Sequence, residues 1–222
     1  MRLPNAAHEA RPWRIREIAP DFTLEDVWAL PVHGDAGDFE TLVEVMATLD
    51  PTRTPSPASR LLFDLRFLLG RWFGWDDPAT HRSIPDEIET TLTDRLPDDL
   101  RRTVTDLELG SEMLENLGVH FAPIYRTGVE CAAEVSNRTV HGVIHLAWAA
   151  QGDGRYQGQM AIYVKPRGAF GKAYMGLIKP FRYWVVYPAL LRQIEHAWNA
   201  RRKYLEAAAQ LPVSPGVTGG AA

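Results

Sequence analysis

Two glutamates and two histidines stand near one another in the chain: Glu130, Glu134, His141 and His145. A carboxylate beside an imidazole favours the imidazolium and moves its titration upward, so with water partly excluded the two form an acid–base unit. What the four can do depends on the backbone beneath them. On a helix, His141 and His145 would lie about 6 Å apart and could share a metal. On a strand they lie roughly 13 Å apart, at about 3.3 Å per residue. The stretch "VHGVIHLAW" (140–148) is rich in Val, Ile, Leu and Trp, which favours a strand. The histidines are therefore not a chelating pair, no HExxH is present, and neither metal nor cofactor is expected.

A tight turn with Asn137-Arg138 at its centre would pair Ser136 with Thr139, Glu134 with His141 and Glu130 with His145. Because side chains alternate, all four polar groups then share one face, each Glu–His pair about 5 Å across at Cβ. The opposite face carries Val129, Cys131, Ala133 and Val135 against Val140, Ile144, Leu146 and Trp148, and reads as core. Three readings of the polar face stand together. It is the solvated side of the sheet, the lining of a cavity, or a surface joining two copies in a homodimer.

Other candidates are weaker. "GAFGKA" (168–173) fails as a phosphate loop, because its first glycine is too close and no Ser or Thr follows Lys172. Lys165, Arg167, Lys172, Lys179 and Arg182 form a basic run around it that would attract an acidic group, or is simply solvated. Trp72 and Trp75 in "GRWFGWD" (70–76), and Trp184, Tyr187 and Trp198 further on, are core aromatics or the wall of an apolar ligand pocket. Cys131 falls on the apolar face as a small core residue rather than a nucleophile. There is no GxSxG elbow.

The elements that must position these groups follow from pattern. The chain has 222 residues with net charge -4, fitting one large domain and lacking the basic excess of a nucleic-acid binder. One cysteine excludes an intrachain disulfide. The N-terminus has no apolar signal region and no window is long enough to span a bilayer, so a cytoplasmic location is expected. Residues 1–12 read as a flexible arm, 13–205 as a single domain and 206–222 as a disordered tail. Within the domain, Trp13–Ile18 and Phe22–Val32 read as short strands. Helices are expected near 39–49, with Phe39, Leu42, Val43, Met46 and Leu49 at helical spacing, and at 58–72. Phe121–Val135, Thr139–Ala150 and Arg155–Lys165 read as an antiparallel meander, with a turn at 152–154. A short helix (169–179) stops at Pro180. A long helix follows (181–205) with Trp184, Tyr187, Leu191, Ile194 and Trp198 as its apolar stripe, kinked or started late by Pro188. This order gives an α+β helix-grip architecture, a curved antiparallel sheet packed on a long C-terminal helix.

Several stretches together resemble one family: "DFTLEDVWALP" (21–31), "GRWFGWD" (70–76), "DRLPDDLR" (94–101), residues 124–148 and residues 160–198. They are similar to the DUF2867 family over most of the chain between about 13 and 200. The resemblance implies a START/Bet v 1-like (SRPBCC) fold and no defined activity. Fold relatives of that kind bind, cyclise or hydrolyse sterols, lipids and polyketides between sheet and C-terminal helix. By analogy a small hydrophobic ligand is expected there. The alternatives are an enzyme using the Glu–His pairs on such a ligand, and a structural or dimerisation protein.

Overall fold

The computed structural model describes residues 1–49, 91–102, 121–136 and 140–209. The expected helix at 58–72, Trp72, Trp75 and the turn at 137–139 lie outside the described residues. The fold is α+β, with one six-stranded antiparallel, curved sheet. Its strands are β1 (Arg2–Leu3), β2 (Thr23–Gly34), β3 (Ala122–Arg126), β4 (Glu130–Ser136), β5 (Val140–Gly152) and β6 (Arg155–Pro166), in the order β1-β2-β6-β5-β4-β3. The helices are α1 (Asn5–Glu9), α2 (Ile15–Ile18), α3 (Phe39–Thr48), α4 (Asp98–Arg101), α5 (Gly168–Phe181) and α6 (Tyr187–Ala209).

The meander forms as its pattern requires. Gly152, Asp153 and Gly154 all have positive φ, and the two-residue Asp153-Gly154 turn closes the β5–β6 hairpin. The stretch expected as one strand from 121 to 135 is two. β3 and β4 are separated by Thr127–Val129, where the Thr127 hydroxyl accepts from the Val129 and Glu130 N–H groups and pins the reversal. Pro123 and Pro31 fall at irregular places in the ladder, Pro123 on the edge strand, where a missing N–H is tolerated. α3 appears where the apolar spacing placed it. A short turn at Ala36–Asp38 precedes it, with the Asp38 carboxylate accepting from the Asp35 N–H at 2.8 Å. It lies close to the sheet at Gly158, where a Cβ would come 2.5 Å from Val32 and 3.1 Å from Leu42.

The sheet is covered on both faces. On one, α3 and α6 pack Phe39, Leu42, Val43, Tyr187, Ile194 and Trp198 against Trp28, Leu30, Leu146, Trp148 and Met160. On the other, Trp13, Ile15, Ile18 and Phe22 from the N-terminal segment and Leu92, Leu96 and Leu100 lie over Ala132, Val143, Ala147, Ala161 and Tyr163. Both central strands are therefore buried on each side, and the solvated-face reading of the Glu/His side does not hold. Arg14 to Asp99 (2.7 Å) and Arg95 to Asp21 (2.6 Å) tie the two covering segments together at the rim.

Three further expectations are corrected. Trp13–Ile18 is not a strand, because Ile15–Ile18 takes one helical turn that drops both isoleucines into the core. Residues 1–12 carry β1, paired with β2, and α1, whose His8 is fully buried. Pro180 does not stop a helix. It lies inside α5, and the chain continues through a π-helical turn (Arg182–Val186) into α6. The π turn holds Trp184, the residue whose carbonyl the Pro188 ring would strike in a regular α-helix. The same turn breaks the phase of the expected stripe. Tyr187, Ile194 and Trp198 are buried and Leu191 is half-buried, while Trp184 is turned out to 82% exposure.

Candidate functional site

The four Glu/His residues meet as pairs, though on a different register. Ser136 pairs with His141 and Glu134 with Val143, so the ladder is shifted two positions from the expected Ser136–Thr139 register. A shift of two keeps every side chain on its face. Each glutamate then reaches its histidine diagonally across neighbouring strands. His141 Nε2 lies 2.6 Å from Glu134 Oε2, and His145 Nε2 lies 2.8 Å from Glu130 Oε2. All four side chains are buried.

Each glutamate also holds the segment passing above it. Glu130 accepts the Arg14 N–H at 3.1 and 3.2 Å, and the Tyr125 hydroxyl donates to it at 2.8 Å. Glu134 accepts the Leu92 N–H at 3.4 Å, and the Phe22 ring meets His141 edge-on, centroids 4.9 Å apart. Burial alone would push the Glu130 carboxyl up. The hydrogen bond and charge of His145, with the Arg14 N–H and Tyr125, outweigh burial and hold it below the usual range. Burial, then Glu130, drives the Tyr125 phenol well above its ordinary value, so Tyr125 is a fixed donor.

The surroundings of the two pairs differ. Around His145 the sheet carries small residues: Ala132 and Ala161 directly across the strands on either side, and Ala147 two positions along. Aromatic rings fill the space they leave. His8 stands 5.2 Å from His145 between ring centroids, Trp13 5.7 Å and Tyr163 6.5 Å. In this group Trp13 Nε1, His145 Nδ1 and the Tyr163 hydroxyl have no hydrogen-bond partner among the described residues, and the His8 ring has only the Gln159 side chain beside it. A buried polar atom left unpaired costs about 1–3 kcal/mol, so such a concentration points to polar groups that meet a partner in another state. Burial, then the neighbouring His145, lowers the His8 pKa to about 3 and keeps its ring neutral.

Among the described residues, the opposite face holds a buried ion pair. Asp26 accepts from Arg182 at 2.5 Å, from the Tyr187 hydroxyl at 3.1 Å and from Trp28 Nε1 at 3.3 Å, clipping the π turn to β2. Tyr187 and Trp198, two of the expected ligand-lining rings, are core here, and Trp184 faces solvent. Burial pushes the Cys131 thiol up to about 12, as suits an inert core residue. An open groove of about 390 Å³ runs between His33, Asp35, Gln151, Arg155, Gln157 and Arg202. Among the described residues, no group of His, Cys, Asp or Glu could hold a metal ion.

Sequence reasoning found both pairs but not His8, Trp13, Tyr125, Gln159, Tyr163 or the Asp26–Arg182 pair as members of polar clusters. Tyr163 and Gln159 carried a signal, since alternation along β6 puts both on the histidine face. His8 carried none, because only tertiary folding brings it to a strand so far along the chain.

A family model described as "Protein of unknown function (DUF2867)" matches residues 18–189. No curated protein and no solved structure gives a significant match.

Proposed function

The chain belongs to the DUF2867 family, and from its buried polar face we propose that it binds a small organic ligand beneath the N-terminal segment and exchanges a proton with it through His145. The observation that carries this reading is the 2.8 Å bond from His145 Nε2 to Glu130, at no solvent exposure, on a ring whose Nδ1 has no partner among the described residues. With Glu130 ionised, Nε2 carries the hydrogen that the carboxylate accepts. Nδ1 is then the ring position from which a proton is taken up or given, and Glu130 orients the ring. Arg14 and Tyr125 keep Glu130 in place. Trp13 Nε1, the Tyr163 hydroxyl and Gln159 Oε1 supply donors and an acceptor for a ligand's polar atoms, and the indole and the alanines supply its apolar wall. The reaction class is proton transfer of the kind used in cyclisation or hydrolysis. Admission requires the N-terminal segment to lift.

A hydrophobic ligand held between sheet and α6 draws less support. Tyr187, Ile194 and Trp198 occupy that interface with 4% exposure or less. We assign the fold to the START/Bet v 1-like group on the strength of the antiparallel sheet crossed by one long C-terminal helix. Among the described residues, the exposed Leu177, Trp184, Tyr204 and Leu205 are what a homodimer reading would draw on.

Native mass spectrometry and a thermal-shift screen of small carbonyl and hydroxyl compounds on the full chain test this reading. Wild type is expected to retain or bind a compound that His145→Gln and Glu130→Gln lose and Glu134→Gln keeps. Equal binding by all four proteins, or binding by none, would overturn it.

A further inference from the structure

From residue 154 to residue 194 the chain contains no Asp or Glu but carries Arg155, Lys165, Arg167, Lys172, Lys179, Arg182 and Arg192, although its net charge is -4. This acid-free stretch includes α5 and the π turn. Among the described side chains of α5 and the π turn, the exposed positions beyond its first two residues are Lys172, Ala173, Gly176, Leu177, Pro180 and Trp184. Their spacing of three to four traces one side of a helix. The opposite side buries Met175 and half-buries Ile178, Phe181 and Tyr183. Except for Lys172, the outward stripe is apolar. Its two large members are wide open to solvent, Leu177 at 71% and Trp184 at 82%.

Single exposed apolar residues need no explanation, but an apolar helical stripe ringed by cations does. Acids of the N-terminal half balance some of those cations from behind: Asp21 lies 3.2 Å from Lys165, Glu25 3.6 Å from Lys179 and Asp26 2.5 Å from Arg182. Lys172 and Arg192 stand exposed, and Lys179 keeps nearly half its side chain in solvent. A protein partner would have to match both the grease and the charge. An anionic bilayer supplies both at once, acyl chains for Leu177 and Trp184 and headgroup charge for the cations. Among the described residues no helix is long and apolar enough to cross a membrane, so contact would be in the plane of the surface.

We propose that the exposed stripe of α5 and the π turn, centred on Leu177 and Trp184, docks the protein onto anionic lipid surfaces. The inner side of this helical run meets the N-terminal part of the chain, with the Arg2 guanidinium 4.9 Å from the Tyr183 ring centre, and the stripe itself faces outward.

Sedimentation of the full chain with vesicles of phosphatidylcholine, with and without an equal part of phosphatidylglycerol, tests the proposal. Wild type is expected to bind the anionic vesicles about tenfold more strongly, with high salt abolishing the difference. Trp184→Ser with Leu177→Asp should lose binding at an unchanged melting temperature, and Trp184→Phe should retain it. Indifference to lipid charge, or full binding by the double variant, would overturn the proposal. So would light scattering that shows a dimer dispersed by Trp184→Ser while vesicles are ignored.

Discussion

The two faces of the sheet are buried to a similar degree by different means. The face under α3 and α6 is packed mainly with large apolar rings and chains, and the buried charge of Asp26 meets an arginine, a tyrosine and a tryptophan. The face under the N-terminal segment mixes alanines with two Glu–His pairs and a group of unpaired polar atoms. The first arrangement is built to stay shut. The second spends stability on groups that gain partners only when something else enters, which is how binding sites differ from cores.

The contrast can be broken hardest on the packed side. Trp148, stacked near Tyr156 and Trp198 and donating to the Asp35 carbonyl at 2.7 Å, should cost about 3–5 kcal/mol when changed to Ala, read by denaturant unfolding. The buried charges separate the faces next. Asp26→Ala strands an arginine that cannot shed its proton, and should cost about 3 kcal/mol or more. Glu130→Ala strands no guanidinium, only the Arg14 N–H, the Tyr125 hydroxyl and a His145 ring nitrogen, and should cost about 1–3 kcal/mol in the same measurement. Equal losses would remove the electrostatic part of the comparison.

Acid sharpens the contrast further. His8, faced by His145, Glu130, Gln159 and Arg11, has its pKa lowered to about 3 when folded, against 6.5 unfolded. Above pH 6.5 the ring is neutral in both states and contributes no pH dependence. Below that, the released segment takes up a proton that the docked one excludes, so docking weakens by about 1.4 kcal/mol per pH unit. The Glu130 carboxyl, held below the ordinary carboxylate range, adds its own loss only at lower pH. Hydrogen exchange of the amides of α1 and α2 should therefore quicken between pH 6.5 and 5, and His8→Leu should flatten the change. Exchange that ignores pH in wild type would refute this account. The smallest effect belongs outside both faces: Trp184→Ala should alter stability by no more than about 0.5 kcal/mol.

Much of this was legible in the chain. Alternation alone put Glu130, Glu134, His141 and His145 on one side, and it survived a register shifted by two because faces depend only on parity. The cover over that side was not legible. It comes from Trp13, Ile15, Ile18, Phe22 and the Leu92–Leu100 stretch, whose composition says nothing about which surface they lie on. A polar strand face therefore left the solvated reading open beside the cavity and the dimer surface. Trp184 misled for a local reason, since its spacing fits an α-helical stripe and only the π turn after Pro180 rotates it outward. His8 lay in a stretch too polar and too short to suggest burial.

The alanine platform around His145 offers a handle that involves no charge at all. Ala132, Ala147 and Ala161 set the height at which the N-terminal segment rests. Valine at any of the three would act as a wedge, propping that segment up while the proton-handling groups keep their identity. Such a variant separates access from chemistry, since it would admit a ligand faster without altering the pair that receives it.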